Sequence, residues 1–328
     1  GDVGSGKTVV AALAMLQAVG SGLQVALMAP TEILATQHAL FCNTYLTPLG
    51  IKVGLLTGKT TLLQRQAMIA YDVLIGTQAL FHTDWVFDRL ALVVIDEQHR
   101  FGVSQRKTLS ECGATENLLP HQLVMTATPI PRTLAMSLYA DLDCSVIDAL
   151  PPGRQPIKTF VFCESKRMQL LQRLQASIRQ GQQVFWVCPL VEESGLPCQA
   201  AIDTQQELQL FFPKSRVGLL HGRMKGEDKG AVMAAFHSGD IAILVATTVI
   251  EVGIDVPNAN WMVIENAERF GLAQLHQLRG RVGRGSVASF CVLMYSNPLT
   301  QTAKSRLTTL RETQDGFKIA QQICCCGA

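Results

Sequence analysis

The chain begins with eight residues that have the types and spacing of a phosphate-binding loop, Gly-Asp-Val-Gly-Ser-Gly-Lys-Thr. Glycines let successive backbone N–H groups turn toward phosphate oxygens, the lysine places a positive charge on the β and γ phosphates, and the threonine hydroxyl can ligate Mg²⁺. A glycine-rich turn that merely precedes a helix is the alternative for the loop taken alone. The residues expected to contact a nucleotide are Gly1, Gly4, Ser5, Gly6, Lys7 and Thr8, with Thr8 also a ligand of Mg²⁺.

Two adjacent acids follow a short apolar run in the first half of the chain. Residues 92–95 are apolar at every position, which is typical of a strand buried on both faces, and Asp96 and Glu97 come directly after them. Ligands of open parallel sheets bind outside the carboxyl ends of the strands, so both acids are expected to face the phosphates. Asp96 is the candidate Mg²⁺ ligand, and Glu97 the candidate that orients or deprotonates the attacking water. A solvated pair or a helix cap would explain the acids alone, but loop and acids together predict a nucleoside triphosphatase.

A third group of polar residues lies in the second half of the chain. Gln277, Arg281 and Arg284 are spaced four and three residues apart, so on a helix they would share one face. The apolar residues among them would take the opposite face: Leu275, Leu278 and Val282. Guanidinium groups on a common face suit a triphosphate approached from across a cleft, where they stabilise the charge of the transition state. A basic surface helix is the alternative.

Alternating strands and helices must position these groups. Short apolar runs recur along the chain, and stretches of helical periodicity follow them, such as Val9–Val19 and the stripe Met168, Leu171, Leu174 and Ile178. The runs lie at residues 25–28, 72–75, 92–95, 123–125, 184–187, 217–220, 241–245, 261–264 and 290–294. This alternation predicts two parallel sheets covered by helices. The domain boundary is expected at residues 150–153, where two prolines and a glycine interrupt both periodicities.

Composition is consistent with two globular domains. The 328 residues are 48% hydrophobic and 16% charged, which excludes a disordered chain, and no apolar run reaches the roughly 18 residues of a membrane span. Residues 1–150 carry 9 Lys and Arg against 12 Asp and Glu, whereas residues 151–328 carry 19 against 14. The basic second half fits a polyanionic ligand or ordinary surface charge. The ten cysteines are expected to be reduced, because the adjacent Cys324–Cys326 suit neither a disulfide nor a zinc site and the others are scattered singly.

Further motif blocks make the chain resemble the motor core of superfamily-two helicases, most closely the RecG family of bacterial ATP-dependent DNA helicases. The blocks lie in family order at residues 30–32, 76–78, 126–132 and 245–259. The transcription-repair coupling factors, a related family, share parts of this pattern. They usually have Glu at the position of Gln98 and Thr at those of Val252 and Asn258, so these three residues favour the RecG family.

The resemblance implies a fold and two cofactors. The fold class is α/β, with two tandem RecA-like P-loop domains, each a mainly parallel sheet covered by helices. Residues 1–150 would be the ATP-binding domain, 151–298 the helicase C-terminal domain, and 299–328 a truncated C-terminal segment. The implied cofactors are ATP and Mg²⁺.

The resemblance also assigns roles to individual residues. Hydrolysis would be linked to domain movement by His99, Thr126 and Thr128. Gly253 and Asp255 would lie near the nucleotide. The residues that would face the DNA sugar-phosphate track, where contacts carry no base-sequence information, are Pro30, Thr31, Gly76, Thr77, Thr247 and Thr248.

The implied function is that of a DNA helicase and translocase. Such a motor drives branch migration and the regression of stalled forks and Holliday junctions, in DNA repair and recombination in the bacterial cytoplasm. The implied partner is branched DNA, with no membrane involved, and protein partners stay open. Two alternatives remain: a duplex translocase like the coupling factor, and a catalytically inactive fragment that binds nucleotide or nucleic acid.

The chain departs from the family pattern in several places. It begins on the phosphate loop, so the first strand of the ATP-binding domain and the wedge domain that grips branched DNA are expected to be missing. After residues 315–320 the family continues into a segment that couples translocation to unwinding, and residues 321–328 replace that segment here. The region 59–71 is expected to be several residues shorter than in the family.

Overall fold

The chain folds into two compact units. The computed structural model describes residues 1–58, 60–81, 87–97, 119–126, 143–149, 151, 155–189, 199–247, 256, 258–283, 285 and 287–325. The first unit contains Gly1, the described part of Ser5–Ala127, and Ile147–Ala149. The second contains Asp2–Gly4 and the described parts of Thr128–Val146 and Leu150–Ala328. Among these residues, no helix has both the length and the apolar character needed to cross a membrane.

The first unit is built on a five-stranded parallel sheet with the order β2-β3-β1-β4-β5. Its strands are β1 (Gln24–Met28), β2 (Val53–Leu56), β3 (Val73–Gly76), β4 (Leu90–Asp96) and β5 (His121–Met125). The central strand β1 pairs with β3 on one side and β4 on the other, so that Ala26 lies opposite Leu74 and Val93. Every residue of β1 and β3 is buried, which is why these strands are continuous apolar runs in the sequence.

Three helices belong to the described part of this unit. They are α1 (Lys7–Gly20), α2 (Glu32–Tyr45) and α3 (Leu62–Ala67), with 3-10 turns at Thr47–Leu49 and Gln78–Phe81. The helix predicted after the phosphate loop is α1, which contacts β1 and β4 and buries Ala11, Ala12 and Met15. Two of these three side chains are a single methyl group, so α1 can lie close to the sheet.

The second unit is built on a six-stranded parallel sheet with the order β6-β11-β10-β7-β9-β8. Its strands are β6 (Lys158–Cys163), β7 (Gln183–Val187), β8 (Val217–Leu220), β9 (Ile243–Ala246), β10 (Ala259–Ile264) and β11 (Phe290–Tyr295). Its helices are α4 (Arg167–Arg179), α5 (Gln199–Phe211), α6 (Gly226–His237), α7 (Leu272–Arg279), α8 (Gln301–Glu312) and α9 (Gly316–Cys325), with 3-10 turns at Glu164–Lys166 and Ala267–Arg269.

Apolar residues cover both faces of this second sheet. Along β7, Val184 and Trp186 belong to one buried cluster, and the alternate residues Phe185 and Val187 belong to another. The second cluster also contains Leu307 and Leu310 from α8 and Ile319 from α9. Residues 301–325 therefore pack on the core of the second unit.

The α/β fold class with two parallel sheets is confirmed, and each predicted apolar run overlaps a strand of the structure. The sequence missed β2 and β6, which lie at the edges of their sheets and lack a continuous buried run. The predicted stripe on α4 was partly wrong: Met168 is 57% exposed, and Leu170 is buried in its place beside Leu171 and Leu174.

A buried glutamine is the first residue of one strand in each sheet, Gln24 in β1 and Gln183 in β7. Gln24 Nε2 donates to the carbonyls of Ile69 and Tyr71 at 2.8 and 3.0 Å, and its Oε1 accepts from the amides of Asp88 and Arg89 at 3.0 and 3.1 Å. In the second unit, Gln183 Nε2 donates to the carbonyls of Phe236 and Ile241. These side chains fasten loops to the amino ends of the strands, opposite to the edge where ligands of parallel sheets bind.

Candidate nucleotide site

The amino terminus of α1 has the geometry of a phosphate cradle. Only residues 21–23 connect α1 to β1, so α1 runs antiparallel to the strands and its first turn lies at their carboxyl ends. Gly4 and Gly6 have positive φ angles of 72° and 95°, which glycine adopts at little cost. No side chain caps the helix, and its first turn contains no acid. The first N–H groups and the positive end of the helix dipole are therefore suited to bind a phosphate.

Ser5 and Lys7 both lie against the first residue of this loop. The Ser5 hydroxyl is buried and has no hydrogen-bond partner among the described residues. A Cβ added to Gly1 would lie 2.7 Å from the Ser5 oxygen, so a side chain at position 1 would crowd it. Lys7 Nζ donates to the Gly1 carbonyl at 2.8 Å, and an ammonium has three donors, so this bond is compatible with a phosphate contact. An unpartnered buried hydroxyl fits a loop that completes its hydrogen bonds with an oxygen-rich ligand.

The two predicted acids end the strand next to β1. Asp96 is the last residue of β4, and one carboxylate oxygen, Oδ1, accepts from the Glu97 amide at 3.0 Å. Glu97 has a φ of 51°, in the left-handed region that residues other than glycine rarely adopt. Such a conformation costs about 1–3 kcal/mol and persists where the surroundings impose it, often at functional sites.

The second carboxylate oxygen of Asp96 contacts a histidine that the sequence reasoning missed. His38 Nε2 lies 2.9 Å from Asp96 Oδ2, and both side chains are largely buried. His38 belongs to the buried stripe of α2, whose other members are Leu34, Ala35, Ala39 and Cys42. A single histidine in an otherwise apolar stripe was the available signal, but it did not indicate the partner.

The side chains at this edge fit a hydrated Mg²⁺ bound to a nucleotide. Mg²⁺ usually keeps several waters and is held by one or two protein oxygens together with substrate phosphates. The Thr8 hydroxyl and the Asp96 carboxylate are oxygen ligands of this kind. Among the described residues, no group of three His, Cys, Asp or Glu side chains is arranged to enclose a metal, so a site made wholly of protein ligands is not present there.

Several residues expected to face DNA, and one expected coupling residue, Thr126, lie at the same edge of the first sheet. Thr31 follows β1 and caps α2, where its Oγ1 accepts from the Leu34 amide at 3.4 Å. Gly76 ends β3, with Thr77 next, and Thr126 follows β5. Since the carboxyl ends of parallel strands meet at one edge, these residues lie on the same side of the sheet as Asp96.

Gly76 has a packing reason that the motif did not reveal. It is buried, and a Cβ added there would lie 2.2 Å from the Leu56 carbonyl oxygen and 2.9 Å from Leu80 Cγ. Glycine is therefore required at this position by the close approach of β2, independently of any ligand.

The second unit corrects the predicted helix around residues 277–284. α7 ends at Arg279, and Arg281 lies in the following turn, where its amide donates to the Leu278 carbonyl at 3.0 Å. Gln277 and Arg281 are only 5% and 6% exposed, and the apolar residues Leu275, Leu278 and Val282 are buried as well. The prediction that the polar and the apolar residues occupy opposite faces of one helix was thus wrong, because α7 ends before Arg281 and Val282 and residues of both kinds are buried.

Two residues after α7 are glycine for different structural reasons. Gly280 has helical backbone angles, but a Cβ there would lie 2.5 Å from Val3 Cβ, a residue of the same unit. Gly283 has a φ of +80°, which redirects the chain toward β11.

A polar network that the sequence did not predict connects Asp2 to α7. His276 Nε2 lies 2.8 Å from Asp2 Oδ1, and Arg279 lies 3.0 Å from His276 Nδ1. A guanidinium only donates, so Nδ1 accepts and Nε2 donates to Asp2. Burial disfavours the Asp2 carboxylate, but the hydrogen bonds from His276 and the Val3 amide and the positive charge of Arg279 outweigh burial and lower the Asp2 pKa. Arg279 also donates to the carbonyls of Leu310 and Thr313 at 2.8 and 2.9 Å, and burial lowers its pKa.

Pro30, between β1 and α2, is half-buried, and the other remaining predicted residues fall into two groups. Thr247 follows β9 and is only 1% exposed, with its amide donating to the Leu220 carbonyl at 3.2 Å, so this structure does not present it at the surface. The others lie outside the described residues: His99, Thr128, Thr248, Gly253, Asp255 and Arg284.

Comparison with known proteins places this geometry in a family. Residues 1–137 match the DEAD/DEAH box helicase model, and residues 165–286 match the helicase conserved C-terminal domain model. The chain is 58% identical over 330 residues to the ATP-dependent DNA helicase RecG of Escherichia coli K12, and 56% identical over 330 residues to that of Haemophilus influenzae. Each match covers 98% of this chain and 48% of the relative, so the chain spans about half the length of these proteins.

A solved structure gives the same assignment. The structure of RecG bound to a three-way DNA junction matches with a TM-score of 0.80 and 43% identity, covering 98% of this chain and 42% of that one. Both helicase models and the high identity along nearly the whole chain point to one family. The chain therefore contains two helicase-type domains and is similar to RecG helicases along nearly its whole length.

Proposed function

We propose that this chain is the ATP-driven motor of a RecG-type DNA helicase. The observation that supports this most directly is the edge of the first sheet, where the cradle of α1, the Asp96–Glu97 pair and the threonines after β1 and β5 all lie at the carboxyl ends of parallel strands. A nucleotide bound at that edge would be adjacent to the residues expected to contact DNA. Because the chain spans about half of its RecG relatives, the activity of a whole helicase is part of the proposal.

In this proposal the first unit binds and orients the triphosphate. Bound Mg-ATP supplies the phosphoryl group and the metal charge that neutralises it during transfer to water. Lys7 and the first N–H groups of α1 bind the phosphates, and Thr8 and Asp96 hold the ion. Glu97 orients the attacking water and accepts its proton.

The second unit is assigned the charge-stabilising and coupling roles. Gln277, Arg281 and Arg284 contact the γ phosphate during turnover, and Gly253 and Asp255 lie close to the nucleotide. The link between hydrolysis and movement is assigned to His99, Thr126 and Thr128. These assignments rest on the family resemblance.

The proposed substrate is branched DNA, such as forks and Holliday junctions. Pro30, Thr31 and Thr77 contact the sugar-phosphate backbone from the first unit, and Thr248 from the second. Gly76 contributes mainly by packing, and Thr247 reaches DNA only after a rearrangement that exposes it. We place this activity in DNA repair and recombination in the bacterial cytoplasm.

The test is ATP hydrolysis by the 328-residue chain with and without forked DNA. Turnover that rises with DNA and is lost in Lys7→Ala supports the proposal. The matched control is Lys52→Ala, which removes an exposed lysine of the same unit and should leave turnover unchanged.

Two other outcomes would contradict the proposal in different ways. DNA-stimulated hydrolysis without strand separation on forks, but with displacement of a triplex-forming strand, would favour a duplex translocase. Absence of ATP hydrolysis in a folded protein that still binds nucleotide or nucleic acid would identify a catalytically inactive fragment.

A further inference from the structure

We propose that His38 is a positioning residue that fixes the Asp96 carboxylate for the metal–nucleotide complex. This inference rests on the proposed function, because it concerns how the candidate Mg²⁺ ligand is held. This histidine lies outside the family motif blocks described above.

The geometry defines the direction of the hydrogen bond. His38 Nε2 and Asp96 Oδ2 are 2.9 Å apart, and the two side chains are 8% and 13% exposed. An ionised carboxylate can only accept, so Nε2 carries the donated hydrogen. The bond joins the middle of α2 to the carboxyl end of β4, two segments that are 58 positions apart in the chain.

This bond and its neighbour together restrain the carboxylate. Oδ1 accepts from the Glu97 amide at 3.0 Å, while Oδ2 accepts from His38. With one hydrogen bond on each oxygen, rotation of the carboxylate about its Cβ–Cγ bond would break both. A carboxylate offers about four lone-pair sites, so two hydrogen bonds leave it able to contact a hydrated cation.

The position of His38 on α2 argues for a role beyond packing. The other members of the buried stripe are apolar, and an apolar side chain would pack there without the need to satisfy a buried nitrogen. Partners that orient a metal-binding carboxylate or imidazole typically contribute 10–100-fold to metal affinity or activity. A residue that only fastens α2 to the sheet would change stability and leave the Mg²⁺ requirement unaltered.

The experiment measures binding of a fluorescent, non-hydrolysable ATP analogue, mant-AMPPNP, as a function of Mg²⁺ concentration. In His38→Leu, the Mg²⁺ concentration for half-maximal binding should rise about 10-fold or more, with Mg²⁺-free binding unchanged. His38→Gln should behave as the wild type, because its amide nitrogen is as many bonds from Cβ as Nε2 of histidine. His38→Asn places the amide one bond short and should resemble His38→Leu.

Cys42→Ala is the matched control. Cys42 is fully buried one helical turn further along the same stripe, so this change should lower the unfolding temperature without altering the Mg²⁺ dependence. Should His38→Leu fail to fold, the pair His38→Gln and His38→Asn, which differ by one methylene, gives the same comparison.

The outcomes separate this inference from the proposed function. If the wild type and His38→Leu bind the analogue with the same Mg²⁺ dependence, the positioning role is refuted and the proposed function stands. Where His38→Leu does not fold, His38→Asn takes its place in this comparison. Equal impairment in His38→Gln and His38→Asn would also overturn it, because the hydrogen bond would then not be the cause. A folded wild type that does not bind the analogue at all would refute the proposed function itself.

Discussion

Alanine at position 76 would distinguish a packing role from a DNA-contacting role for a residue of a family motif. The added Cβ would lie 2.2 Å from the Leu56 carbonyl oxygen, whereas ordinary contact begins near 3.4 Å. The obstructing atom belongs to the backbone of β2, at the last pair of its register with β3, so it cannot rotate aside. Overpacking typically costs about 1–3 kcal/mol, and a backbone clash belongs at the upper end, near 3 kcal/mol.

Hydrogen–deuterium exchange measures this loss locally. A decrease of about 3 kcal/mol in local opening free energy corresponds to roughly 100-fold faster exchange. It should appear in peptides containing β2 and β3. Gly20→Ala is the control, because a Cβ at the end of α1 meets no atom within 4 Å.

The reasoning would be refuted by a specific loss of DNA binding. If Gly76→Ala exchanged like the wild type in β2 and β3 but bound forked DNA more weakly, Gly76 would act at the DNA surface and the clash would be relieved elsewhere. Equal loss of protection in Gly76→Ala and Gly20→Ala would also contradict the local explanation.

Three further predictions follow from the site and its supports. Glu97→Gln and Arg284→Ala should each bind Mg-ATP but lose DNA-stimulated hydrolysis. Turnover retained by either variant in a steady-state phosphate-release assay would contradict the role assigned to that residue. Gln24→Ala should lower the free energy of unfolding of the first unit, measured by urea denaturation, by about 2–4 kcal/mol, because two carbonyls and two amides lose their hydrogen-bond partner. The same change at an exposed glutamine should have little effect. Cys163 should react with iodoacetamide at neutral pH before Cys42. Hydrogen bonds from Ser165 lower the pKa of the Cys163 thiol, whereas burial raises the pKa of the Cys42 thiol to about 11 and limits the access of the reagent. Equal alkylation rates of the two thiols, measured by mass spectrometry, would contradict this order.

The sequence predicted every central strand and two of the four edge strands, β5 and β8. Strands such as β1 and β3 are flanked by neighbours and buried on both faces, so they are apolar at every position. β2 and β6 were missed, and neither an edge position nor a glycine explains this, because the predicted strand β8 also lies at an edge and has the same residues as β2, Val-Gly-Leu-Leu. Helix α7 was extended too far because side-chain spacing does not show where the backbone leaves the helix, which occurs between Arg279 and Gly283, whose φ is +80°.

Some features of the candidate site could be predicted from the sequence, and others depend on tertiary packing. The residue types at positions 1–8 and the acids after a buried run were sufficient by themselves to predict a nucleotide site at the carboxyl edge of a parallel sheet, because local chain geometry and strand direction determine where those groups lie. The pairing of His38 with Asp96 and the requirement for glycine at position 76 were decided only by tertiary structure. Both depend on which distant segments pack together, and spacing along one segment does not contain that information.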